Sequence, residues 1–141
     1  MATKMGFEGT LYYGVAGTTG ATQITNRRDV SYTIDTEKGD TTTAGVGTSP
    51  PVKTSRVTAI ILSLEWTMLN KTTDTTLTAL RTAAAAGTPV AIRLKDCSSG
   101  KGFDGDVILT QKDGVPIAGE QTFVFTAEPT DESGRTPSAY V

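Results

Sequence analysis

The chain has 141 residues, the size of one domain, and folding at that length hides roughly 68% of the unfolded surface, enough for a core without covalent staples. One cysteine, Cys97, and no histidine exclude an internal disulfide, the usual zinc sites and histidine-dependent catalysis. Thirteen basic residues against 15 acidic ones lack the basic excess of a duplex binder, and no apolar run exceeds the four residues 59–62, far short of the ~20 that span a bilayer.

The N-terminus has no apolar signal core after Lys4, so a soluble domain made inside the cell is expected. Its 27 threonines and 15 glycines favour strands joined by glycine turns. Residues 7–13 alternate, with Phe7, Leu11 and Tyr13 on one face, and predict a first strand. Residues 14–22 read as a Gly/Thr loop. Residues 29–35 alternate again, with Val30, Tyr32 and Ile34 inward.

Residues 38–55 hold three glycines, two prolines and five threonines without any period. A loop this long is expected to be functional or disordered, and its composition predicts mobility in the lone chain. From 56 to 69 the even positions Ile60, Leu62, Leu64, Trp66 and Met68 form an apolar face and Ser63, Glu65 and Thr67 a polar one. That is a long strand with one wet side. Residues 74–86 form the helix, capped by Thr73 or Asp74, ended by Gly87 and Pro89, and docked through Leu77, Leu80 and Ala84.

Strands are predicted at 90–95, with Arg93 and Lys95 outward, at 103–111 and at 120–128, with an Asp113-Gly114 turn signal between the last two. Residues 130–141 read as a polar, mobile tail. The expectation is one mainly β domain over 1–141, a β-sandwich or barrel-like fold of six or seven strands with one flanking helix.

Chemistry-bearing motifs are weak. Gly100-Lys101-Gly102-Phe103-Asp104-Gly105 spells a dinucleotide fingerprint, but a strand follows it where a helix must open. Asp104 and Asp106 share one strand face and could serve acid–base work or hold a cation; a solvated acidic face is the simpler reading. Asn70-Lys71-Thr72 is a sequon without a secretory signal. Ser98 and Ser99 beside Lys95 and Lys101 suit a polar turn better than a dyad, and Cys97 reads as a reduced thiol. No catalytic, cofactor or metal residues are assigned, and no enzyme activity or cofactor is expected.

The order of elements carries a resemblance. The opening Gly6-Phe7-Glu8-Gly9-Thr10-Leu11-Tyr12, the stretch Asn26-Arg27-Arg28-Asp29-Val30-Ser31, the glycine-rich excursion and Ser63-Leu64-Glu65-Trp66-Thr67-Met68 come first. The helix, Gly87-Thr88-Pro89-Val90-Ala91, Phe103-Asp104-Gly105-Asp106-Val107 and the last strand follow. Over nearly its whole length the chain resembles the tail tube, or major tail, proteins of long-tailed bacteriophages. The resemblance implies a structural subunit that closes into hexameric rings, stacks into a tube and lets DNA pass during ejection without binding it specifically. It implies contacts with itself and with tip, tape-measure and terminator proteins, no membrane insertion, and a virion location after synthesis in the host cytoplasm. Contractile-tail and secretion-type tubes share the architecture, and a monomeric β-sandwich binding or decoration module is the alternative. A polar lumen would suit the face of Ser63 and Glu65, and of Asp104 and Asp106; outward Arg93 and Lys95 would set a cationic ring against it.

Overall fold

The computed structural model describes residues 3–45, 47 and 49–141. Val46 and Thr48 of the expected loop, and Met1 and Ala2 of the N-terminus, lie outside the described residues. Among the described residues, seven strands form a single antiparallel sheet: β1 (Thr10–Val15), β2 (Thr22–Gln23), β3 (Arg27–Asp40), β4 (Ser55–Leu69), β5 (Val90–Lys95), β6 (Asp104–Gly114) and β7 (Thr122–Thr130). Their spatial order is β2-β1-β5-β6-β7-β4-β3, and the sheet curls into a half-barrel. One helix, α1 (Thr75–Ala86), connects β4 to β5.

Alternation decides which face is dry. Leu64, Trp66 and Met68 of β4 lie beside Ala127, Phe125 and Phe123 of β7, and all six are buried. Trp66 stacks on Phe125 with ring centroids 5.8 Å apart. Val107 and Leu109 of β6, Ile92 of β5 and Leu11 of β1 continue this face. The helix covers it with Leu77, Leu80 and Ala83, and its Arg81 guanidinium lies 4.3 Å above the Phe123 ring. Asp74 caps the helix by accepting the Thr76 N–H. At the other end Gly87 takes the left-handed conformation (φ 71°) and donates to the Ala83 carbonyl, a position that a side chain would strain.

The expected strands and helix are present with shifted ends. The first strand starts at Thr10, because the Glu8 carboxylate accepts the Met5 N–H at 2.7 Å and folds residues 6–8 into a 3-10 turn. Phe7 is therefore 82% exposed. The segment read as loop 38–55 is shorter, since Lys38, Gly39 and Asp40 pair with Val57, Arg56 and Ser55. Gly114 pairs with Thr122, so Asp113-Gly114 belongs to β6 and the turn occupies 115–121. The tail lies against the sheet. Ser138 and Asp104 exchange backbone hydrogen bonds, as do Val141 and Gly102, and the Tyr32 hydroxyl donates to the Ala139 carbonyl.

Trp66 and Leu80 are fully enclosed in the layer shared by β4, β7 and α1. Trp66→Ala or Leu80→Ala is expected to cost ~2–5 kcal/mol, measured by denaturant unfolding. Native Trp66 emission is expected to be blue-shifted and to move red only on unfolding.

Candidate assembly surface

β4 is 15 residues long, about three times the usual strand, and the core uses only its second half. From Val57 to Ile61 the strand runs on beyond the helix, paired with β3 through Thr36↔Ile60 and Asp35↔Ile61. Even positions keep their alternation, so Ile60 and Ile34, which lies opposite Leu62, extend the same apolar face as Leu64 and Trp66. Among the described residues they are only partly covered: Ile60 is 61% exposed and Ile34 54%. The sequence predicts Ile34 inward and Ile60 on the apolar face of its strand; the correction is that the face outruns its cover. Near the tip the Thr41 N–H donates to the Thr54 carbonyl, and the Thr42 hydroxyl accepts the Thr54 N–H. Asp40 accepts the Thr42 N–H, which holds its carboxyl below the usual range. This projecting hairpin is the arm.

A groove of about 910 Å3 lies where the half-barrel stays open, between β3 on one side and the 3-10 turn, β5 and the tail on the other. Met5, Phe7, Ile34 and Tyr140 give it apolar walls. Tyr32 lies deeper, tilted against Phe103, and burial raises its phenol above the usual tyrosine range.

The opposite face of the sheet is open and hydroxyl-rich. Ser31, Thr33, Ser63, Glu65, Thr126 and Thr110 lie side by side across β3, β4, β7 and β6. The wet-face reading of Ser63 and Glu65 thus extends over four strands. Asp35, Glu65 and Glu128 share this face with Lys112, so its charge leans acidic.

Three predicted assignments change. Asp104 and Asp106 do share a face, but it is not solvated there, because the tail returns over it. Asp106 is fully buried; its carboxylate accepts from Gly17 N–H at 3.0 Å and lies 3.3 Å from two nitrogens of Arg135. Arg135 also donates to Asp104 at 2.9 Å. The pair is therefore a closure of the tail, with both acidic groups engaged. Arg93 is not a wet cation: it is buried, and its guanidinium donates to the carbonyls of Gly102, Phe103 and Val141. Lys95 lies over the Tyr12 ring at 5.4 Å. The pattern could not reveal Arg135, whose partners are 29 and 31 residues away.

The fingerprint-like glycines have steric reasons. A Cβ at Gly100 would strike the Asp96 carboxylate, one at Gly102 the Leu94 carbonyl, and one at Gly105 would press on Phe103 and Pro137 at 3.0 Å. Ser98, Ser99 and Cys97 sit in the 96–101 turn, which is closed by Lys101 N–H donating to Asp96. Asn70 bonds Gln121. Among the described residues no three His, Cys, Asp or Glu side chains gather into a metal-binding group.

No family model and no curated protein matches the sequence. Solved structures do match. The chain superposes on one from the tail of an empty GTA particle, refined helically with C6 symmetry, with a TM-score of 0.74 at 14% identity over 97% of this chain and 98% of that one. This chain has the tail-tube fold. It also superposes on the SPP1 tail tube with a TM-score of 0.62 at 10% identity, covering 89% of this chain and 75% of that one. At identity this low the likeness is one of fold, not of side chains.

Within this version of the tail-tube fold, Arg135→Ala leaves a fully buried carboxylate without its counter-charge. Loss of one partner from such a pair is expected to cost on the order of 3 kcal/mol. Urea unfolding checks this; a change under ~0.5 kcal/mol, the size of an ordinary surface substitution, would show that solvent already screens Asp106.

Proposed function

We propose that this chain is a structural, self-assembling subunit of a viral tail tube, with rings of six copies stacking into a conduit for DNA. The observation that carries this reading is the superposition along 97% of the chain on a subunit of a C6-symmetric tail. The subunit's own surface supports it. The arm leaves an apolar face without cover, which a soluble monomer rarely tolerates over a large patch. β3 is an edge strand over its whole length, offering unpaired backbone groups to another chain. Where such contacts are heterologous, they close into a ring when the rotation permits.

The hydroxyl-rich face of β3, β4, β7 and β6 is the candidate lumen wall. Threonine and serine keep it wetted, and its acidic lean disfavours a lasting hold on a polyanion. With Arg93 buried, the cationic ring that its outward placement would have made is removed. On this reading the protein is non-enzymatic, made in the host cytoplasm and resident in the virion tail, and it meets tip, tape-measure and terminator proteins at the tube ends.

Two measurements test the reading. Replacing residues 41–54 by a short Gly-Ser turn is expected to preserve β-type circular dichroism and the melting transition while abolishing tubes under negative-stain microscopy. Normal tubes from the shortened chain would remove the arm tip from assembly. The subunit is also expected to show no salt-sensitive affinity for duplex DNA. An affinity whose logarithm falls linearly with log salt would instead mean several phosphate contacts and would exclude this face as a passive wall.

A further inference from the structure

We infer that the groove beside the 3-10 turn receives residues 50–52 of a second copy, the Pro-Pro-Val segment at the tip of the arm. The inference rests on the tube reading, because it names the partner of that same assembly surface.

Each cation lining the groove has a partner within the chain, and exposed Asp29 is the lining charge left over. Lys4 pairs with Glu8, and Arg28 with Glu120. Arg27 donates to the Gly9 and Arg28 carbonyls. Lys95 and Lys101 lie over the rings of Tyr12 and Tyr140. What the groove still offers is hydrocarbon and aromatic surface: Phe7 and Tyr140 are 82% and 69% exposed. Its complement is therefore an uncharged, apolar, extended segment.

The arm tip has that chemistry. Residues 41–52 contain no charged side chain. Pro50, Pro51 and Val52 lie exposed outside any helix or strand, with Val52 81% exposed. Adjacent prolines restrict the segment to an extended form before it binds, so little conformational entropy remains to be lost, and aromatic-lined grooves take such segments well. The other protruding apolar turn, with Val115 and Ile117, is flanked by Asp113 and Glu120 and would bring acids to cations that already have partners.

The occupant must come from another copy. Ile34 forms part of the groove wall, and β3 stays paired with β4 as far as Asp40. Six residues of strand at roughly 3.3 Å each hold the tip about 20 Å beyond the groove. A paired hairpin cannot fold back over that distance, whereas a neighbour's arm can enter.

The test uses the full chain with Cys97→Ser, carrying Phe7→Cys and Val52→Cys together or singly. Both positions are exposed, so the melting temperature is expected to stay unchanged. Under mild oxidation the double variant is expected to give a reducible ladder of covalent dimers and higher species, about tenfold more abundant than in either single variant, as docking raises the local thiol concentration. A ladder without tubes supports the docking and counts against the tube reading. Tubes without the ladder overturn the docking and leave the tube reading standing. A ladder from Phe7→Cys with Ile117→Cys in place of Val52→Cys assigns the groove to the β6–β7 turn and overturns the proposal. Neither ladder nor assembly at any concentration overturns both.

Discussion

A single sheet has two faces, and this chain supplies one helix to cover the apolar one. Everything else in the architecture follows from that shortage. Where Leu77, Leu80 and Ala83 reach, the sheet face becomes a core of Trp66, Phe123, Phe125 and their neighbours. Where they do not reach, the alternation of β4 continues into solvent as Ile60, with Ile34 beside it on β3. Hydrophobic burial scales with area removed from water, so the uncovered portion remains a standing drive toward association. The closed core and the uncovered apolar face are two outcomes of one pattern, divided by the length of the helix.

The polar side of the molecule is organised by a different economy. Asp106 would be intolerable in its buried place without Arg135 and the Gly17 N–H. Arg93 would be equally so without three carbonyls. Both engage the chain's last stretch, so the tail becomes part of the wall that closes the half-barrel, together with Tyr32 and Ala139. Satisfying these groups internally leaves the open face to hydroxyls and the groove to aromatic rings.

Much of this was legible in the residue pattern. Period-two alternation identified β4 and its faces, and the Asp74 and Gly87 signals marked the helix to within a residue. What alternation cannot say is which part of a long strand will be covered, because cover is supplied by other elements. The length of β4 was itself the unread signal, since a strand of 15 residues exceeds what one 12-residue helix can shield. Phe7 misled because its spacing fits a strand while Glu8 closes a turn by local hydrogen bonding. Arg93 and Asp106 were placed on the correct faces but in the wrong solvent, since the groups that surround them are distant in sequence. The groove was invisible for the same reason: its walls come from segments that only the curl of the sheet brings together.

The continuity of β4 also has a mechanical meaning. Its partner β3 carries an extra residue between Arg27 and Val30, whereas near Glu37 the extra residue is Thr58 of β4, between Val57 and Ala59. From Ala59 onward β4 runs without a bulge into the layer around Trp66. A load applied at Ile60 or Ile61 therefore has no joint at which to dissipate, and it arrives among the aromatic rings as displacement. The chain behaves as a lever whose short end is embedded in its own core, so a force applied to the arm is felt where the fold is most densely packed.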